Sequence, residues 1–341
     1  MTHLSSVNQT SFEKILEEFN NLSNEEAYVN IFSKRMMQQV PGKESEFYGC
    51  NHRIDMLPFI QKLLAKVPEN GQIFDVGAGA GDVVDFALKS APKGITINIE
   101  EPNPSLIKSY LKKLEDNHLR VGVAYEGILQ NYYQGERSGI YPSKPQNLIL
   151  AMHMIYHLTD FTHQYIHPKE DLIEALSFLY SILAPGGTIF IAYADLLENE
   201  NCEAVCGIAE KYFRYFYPRD HYANNLISIY KSRNELLGPN GSISNILAQR
   251  FPYTKPTLTS ELRMCHFFGE SIADLAVLAL ATELCPPDNN RFDIEKLEFC
   301  FDYISHNADR IGLQKENNDV PQKGLWRGNE PHVIAIITRE K

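Results

Sequence analysis

Apolar positions recur at intervals of three and four over residues 11–39: Phe12, Ile15, Leu16 and Phe19, then Tyr28, Ile31 and Phe32 after the cap-like run Ser23-Asn24-Glu25-Glu26. That period predicts amphipathic helices. A second stripe, Met56, Phe59, Ile60, Leu63 and Leu64, predicts a helix over 55–67, ending before Pro68-Glu-Asn-Gly71. From Gly71 to about Asp195 short continuous apolar runs alternate with helical stretches. Strands are expected near 72–76, 95–100, 120–125, 147–152 and 188–194, with helices near 82–90, 104–115 and 170–183. Such alternation specifies a parallel sheet covered on both faces. Past Asp195 the regularity stops. Residues 200–218 read as a helix rich in aromatics, 219–255 as polar and loop-prone, 256–266 as a strand, 272–284 and 292–304 as helices. The run His332-Val-Ile-Ala-Ile-Ile-Thr338 is a clear strand, and 286–290 and 314–323 read as mobile loops, with 315–321 the most flexible.

Residues Ile73 to Asp82, Ile-Phe-Asp-Val-Gly-Ala-Gly-Ala-Gly-Asp, run a buried strand straight into a glycine-dense turn. Gly77, Gly79 and Gly81 let the backbone turn tightly and approach a ligand with no Cβ in the way. The spacing is G-x-G-x-G, whereas a dinucleotide site usually shows G-x-G-x-x-G, whose last glycine would fall at Asp82. That weakens a pyrophosphate reading. Twenty residues beyond Gly81, the strand-like run Ile95-Thr-Ile-Asn-Ile99 ends in Glu100-Glu101, where an acid can accept hydrogen bonds from both ribose hydroxyls.

These segments together resemble the class I S-adenosylmethionine (SAM) methyltransferase family. Asp75-Val-Gly77-Ala-Gly79-Ala-Gly81 is similar to its first motif, Glu101 to its ribose acid, Asn147-Leu-Ile-Leu-Ala-Met-His153 to its fourth strand, and Leu183-Ala-Pro-Gly186-Gly187-Thr-Ile-Phe-Ile-Ala192 to its helix-end turn and fifth strand. The resemblance implies an α/β, Rossmann-like fold whose mostly parallel seven-stranded sheet ends in an antiparallel strand, elaborated by a helical lid and an insertion. It implies a lid over 1–70, a SAM-binding core over 71–195, a substrate-specifying insertion over 196–330 and a final core strand over 331–341. The cofactor set it implies is Asp75, Gly77, Ala78, Gly79, Gly81, Glu101 and Met152, with Glu126 and Gln130 toward the adenine. A Rossmann-like unit for another nucleotide is the competing reading.

Past the fourth strand the chain reads Ala151-Met-His153-Met-Ile-Tyr156-His157, where ligands of such sheets bind. This segment, the Glu101-Pro102 turn, the run Ala273 to Leu284 and the terminal Gly324-Leu-Trp-Arg-Gly-Asn-Glu-Pro-His-Val-Ile-Ala-Ile together resemble the histamine N-methyltransferase family. The resemblance makes His153, Tyr156 and His157 catalytic and substrate-binding residues, with Glu25, Glu26 and Asn329 as further substrate contacts. His153 and His157 replace the family's glutamine and second tyrosine, so the acceptor class widens from histamine to a small molecule bearing an amine, imidazole or hydroxyl. A histidine could also take the proton released on methylation.

Charge narrows the partners. Lys and Arg number 32 against 43 acids, a net charge of −11, which disfavours a phosphate-tracking surface and hence a nucleic acid substrate. No window approaches the ~20 apolar residues of a membrane span. The first ten residues carry neither a basic nor an apolar leader segment, and the six cysteines form no C-x-x-C pair, so a cytoplasmic protein with reduced thiols is expected. Cys202 and Cys206 lie four apart without partner histidines, so no metal is expected. The expected activity is methyl transfer from SAM to an amine or imidazole nitrogen. The alternatives are a small-molecule O-methyltransferase and a SAM-binding regulatory protein without turnover.

Overall fold

Apolar runs that are buried on both faces build the inner strands of the central sheet, as a parallel sheet between two helical layers requires. A computed structural model of the chain describes residues 6–40, 43–81, 84–130, 142, 144–158, 167–196, 202–216, 221–281 and 290–340. Its described strands are β1 (Gln39–Val40), β2 (Lys43–Phe47), β3 (Gln72–Val76), β4 (Thr96–Glu101), β5 (Arg120–Glu126), β6 (Gln146–Met152), β7 (Leu183–Ala194), β8 (Pro256–Gly269), β9 (Gln314–Lys315) and β10 (Trp326–Arg339). The main sheet has the order β5-β4-β3-β6-β7-β10-β8, with the short β9 as an eighth strand on β10.

The ladders β3–β4, β3–β6, β4–β5 and β6–β7 are all parallel. The last strand runs the other way. Thr338 meets Thr188 at 3.5 Å while Asp195 N donates to Pro331 O at 2.7 Å, so β10 descends as β7 ascends. This is the expected Rossmann-like methyltransferase sheet with its antiparallel final strand.

The chain divides into two units, one of residues 1–54, 194–227 and 264–332, the other of 55–193, 228–263 and 333–341. In the second unit, alternate residues of each strand enter opposite apolar layers. Phe74, Val76, Ile149, Ala151, Ile189, Ile191 and Val333 face one layer, filled by Leu172, Leu176, Leu179 and Leu247. Ile73, Leu148, Leu150, Phe190 and Ala192 face the other, filled by Met56, Ile60, Leu64, Tyr110 and Leu114. Hydrophobic burial of this kind is worth about 25 cal/mol per Å² of apolar area, which makes the register of every inner strand strongly specified.

The first unit is mainly helical. Its helix Asn24–Val29 starts at a capping box in which Ser23 Oγ accepts from Glu26 N at 3.2 Å and the Glu26 carboxylate accepts from Ser23 N at 2.8 Å. Phe12 of the helix Ser6–Phe19 stacks on Phe301 of the helix Ile294–His306, ring centroids 3.9 Å apart.

Two sequence expectations need correction. Residues 219–255 are expected to be loop-prone, but 221–255 hold the helices His221–Leu237 and Ile243–Arg250. Their apolar stripe is narrow, with Leu236, Leu237, Ile243 and Leu247 in the core, so the sequence reads as polar. Residues 314–323 are likewise pinned. β9 pairs with β10, buried Glu316 accepts from Arg327 at 3.1 Å, and buried Gln322 donates to Phe47 O at 2.8 Å. Elsewhere the helix expected over 82–90 spans Val84–Leu88, and the one expected over 272–284 spans Ile272–Leu278. Residues 82–83, 217–218 and 282–289 lie outside the described residues.

Candidate functional site

The sheet order reverses between β3 and β6, and the carboxyl ends of strands flanking such a switch point are where open α/β sheets bind ligands. Gly77 follows β3, Glu101 ends β4 and His153 follows β6, so sequence-distant residues meet there.

The turn after β3 is built from left-handed backbone. Gly77, Gly79 and Gly81 have φ of 59°, 56° and 70°, a region that is strained for side-chain-bearing residues. Their surroundings differ. A Cβ on Gly77 would strike the Met154 side chain and one on Gly81 the Tyr110 ring, while one on Gly79 would meet nothing within 4 Å. Gly79 therefore faces open space. The turn is held from outside as well: Lys113 Nζ donates to Ala80 O at 2.9 Å and Ala78 N to Glu100 O at 3.0 Å.

Three carboxylates converge on this turn. Glu100 accepts from Gly77 N at 2.8 Å, Glu101 accepts from Gly79 N and from Asn103 N, each at 2.9 Å, and Asp75 accepts from the Tyr110 hydroxyl at 2.9 Å. Burial raises all three above the usual carboxylate range, most strongly at Asp75 and Glu100, and the Glu101 charge adds to the rise at both. Glu100 and Tyr110 are partners that sequence reasoning missed. The Glu100-Glu101 doublet was the visible signal for the first, whereas nothing local marks Tyr110.

After β6 the backbone at His153 has φ 52°, uncommon outside glycine, and its N–H donates to Ala192 O at 2.8 Å. Tyr156, in the 3-10 turn Ile155–Leu158, places its hydroxyl 3.5 Å from His153 Nδ1. Arg233, only 5% exposed, lays its guanidinium over the Tyr156 ring at 4.9 Å and over the Tyr230 ring at 5.3 Å. It comes from the helix His221–Leu237, which the sequence did not reveal, so no motif pointed to it.

The remaining expected residues are placed as follows. Met152 ends β6, partly buried against the second apolar layer. Glu126 ends β5 opposite Glu101, exposed, and Gln130 lies buried just beyond, next to Leu129, whose backbone hydrogen-bonds Glu100. His157 lies in the same 3-10 turn as Tyr156. Glu25, Glu26 and Asn329 belong to the other unit. There Glu26 closes its capping box, Glu25 is exposed, and the Asn329 amide donates to Cys202 Sγ at 3.7 Å.

A SAM molecule fits what the turn presents. Gly79 leaves the space that a side chain would fill, and each Glu101 oxygen, already accepting one N–H, keeps a lone pair for a ribose hydroxyl. Among the described residues no cluster of three or more His, Cys, Asp or Glu could hold a metal ion, and no helix is long and apolar enough to cross a membrane.

Three solved structures are similar to the chain. A SAM-dependent methyltransferase from Thiobacillus denitrificans, in complex with S-adenosyl-L-homocysteine, is 12% identical, with 91% of this chain and 97% of that one covered at a TM-score of 0.41. One from Geobacter sulfurreducens, in the same complex, is 12% identical over 92% and 98%, at 0.41. The plantazolicin methyltransferase BamL is 13% identical over 85% of each chain, at 0.38. At such scores these likenesses carry no weight beside a domain match. No curated protein matches the chain. A family model described as a methyltransferase domain matches residues 51–255, more than half of the chain. The chain therefore belongs to the methyltransferase domain family, whose methyl donor is S-adenosylmethionine.

Proposed function

We propose that the protein transfers the SAM methyl group to a nitrogen of a small amine- or imidazole-bearing molecule, in the manner of the histamine N-methyltransferase family that its sequence resembles. The observation that carries this reading is the position of His153 and Tyr156. They follow β6 at the switch point, and the neighbouring Met154 side chain packs against Gly77 of the glycine turn.

Bound at the turn, SAM supplies an electrophilic methyl group on a sulfonium sulfur. The chain's task is then to orient and desolvate, because methyl transfer is an in-line displacement that needs no covalent enzyme residue. Glu101 would accept hydrogen bonds from the ribose hydroxyls, and the Gly77 to Gly81 backbone would line the donor. His153 and Tyr156 flank the acceptor, and the Arg233 charge on the Tyr156 ring disfavours a second cation beside it. An amine held there is favoured as its free base, with the lone pair available for attack.

The test is calorimetric titration with SAM, followed by an acceptor panel of amines, imidazoles and phenols read by S-adenosylhomocysteine release and product mass. Saturable SAM binding and turnover with nitrogen acceptors are expected. Turnover confined to hydroxyl acceptors would replace the nitrogen assignment, and SAM binding without turnover on any acceptor would favour a regulatory role.

A further inference from the structure

In the helical unit the helices Ile208–Phe216 and Ile294–His306 border a groove of about 560 Å³, a volume in the range of small-molecule sites. Its floor is aromatic. The Tyr212 ring lies 4.9 Å from Phe216 and 5.6 Å from Phe299, and Phe299 lies 5.9 Å edge-on from Phe216 and 5.8 Å from Tyr303. Its rim is acidic. Glu295, Glu298 and Asp302 recur at three and four along one face of Ile294–His306, so their carboxylates edge the same rings.

Two ammonium groups of the chain lie near these rings, that of Lys211 also paired with Glu203 at 2.7 Å. Lys211 Nζ lies 5.3 Å from the Tyr303 centroid and Lys296 Nζ 5.9 Å from that of Tyr212, both within cation–π range. Phe216 is 54% exposed, so its face is open to a ligand from solvent. Aromatic faces under a carboxylate rim are complementary to one ligand chemistry, an aliphatic chain bearing several ammonium groups. The methylenes lie on Phe216 and Phe299 while the charges reach Glu298 and Asp302, whose Cβ atoms at i and i+4 stand about 5–6 Å apart.

We propose that this groove is a binding site for an aliphatic polyamine. It stands on the helical unit alone and does not depend on the methyl-transfer reading. Spermidine is the probe, titrated calorimetrically into the full chain at physiological salt. Three variants accompany it: Glu298→Gln with Asp302→Asn, Phe216→Ala at the exposed ring, and, as a control of equal charge change, Glu115→Gln with Asp116→Asn on the sheet-bearing unit. Circular dichroism and the melting temperature of each variant report whether it is folded.

One saturable spermidine event is expected in the wild type and in the Glu115/Asp116 control. The Glu298/Asp302 pair should weaken it about tenfold, as loss of charge-assisted contacts implies, and Phe216→Ala should weaken it severalfold, with SAM affinity unchanged in both. Absence of saturable spermidine binding overturns the proposal even where SAM binds normally. Equal weakening in the two double variants also overturns it, because spermidine would then be reading only the overall charge of −11.

Discussion

Alanine at Gly79 and at Gly81 should give opposite failures, although the two glycines share the same left-handed backbone, φ 56° and 70°. Either substitution brings a Cβ into that region at about 1–2 kcal/mol, partly offset by about 0.4–1 kcal/mol from a stiffer unfolded chain. At Gly79 nothing else is disturbed, since the new Cβ meets no atom within 4 Å. Net destabilisation should therefore be about 1 kcal/mol. The methyl group instead occupies the space facing the donor, so SAM affinity should fall by about tenfold or more. At Gly81 the Cβ drives into the Tyr110 ring, which is fully buried and whose hydroxyl donates to Asp75. Overpacking adds about 1–3 kcal/mol, and a displaced buried hydrogen bond about 1–3 kcal/mol more. Urea unfolding of the two variants, paired with calorimetric SAM titration, separates the effects. Equal stability of Gly79→Ala and Gly81→Ala, or wild-type SAM affinity in Gly79→Ala, would refute the reasoning.

Other expectations follow from the same geometry. Glu101→Ala removes the acceptor of Gly79 N and Asn103 N and should weaken SAM binding by about 1.5–3 kcal/mol, the range of a hydrogen bond to a charged group; unchanged affinity in a folded variant would remove Glu101 from the ribose site. Burial pushes Glu330 up to about 8, so its contribution to stability is full below its unfolded pKa and is lost as pH rises through about 8. Glu330→Gln should therefore flatten the fall in melting temperature between about pH 5 and 9, and a slope identical to wild type would contradict that. His332, pushed by burial down to about 4, acts in the opposite sense, its contribution being lost as pH falls below its unfolded value. Arg233→Met keeps the aliphatic stem but deletes the charge over Tyr156, and should destabilise by roughly 2 kcal/mol as a desolvated cation–π contact is lost. A chemical denaturation midpoint matching wild type would show that the stack contributes nothing.

The fold was legible because its signals are local. Apolar-rich runs at 73–76, broken by Asp75, and at 148–152 and 189–194 suit strands buried on both faces, and the capping run at Ser23 to Glu26 carries its own hydrogen-bond partners within four residues. Residues 219–255 were misread because a helix resting one narrow stripe on a core can be polar over most of its surface. The 314–323 segment was misread because its anchors, Phe47 and Arg327, lie outside it.

For the site, the sequence by itself determined the glycine turn and the acid twenty residues beyond it. A backbone that must adopt positive φ three times within five residues admits few residue types, and the strand preceding it is specified by its own apolar run. Only the tertiary structure decided which atoms the turn meets. Glu100 rather than Glu101 holds Gly77, Tyr110 fills the space under Gly81 while leaving Gly79 open, and Arg233 crosses from a distant helix to cover Tyr156. Those pairings depend on where separate elements come to rest against one another, and side-chain contacts between them leave no periodic trace in the chain that makes them.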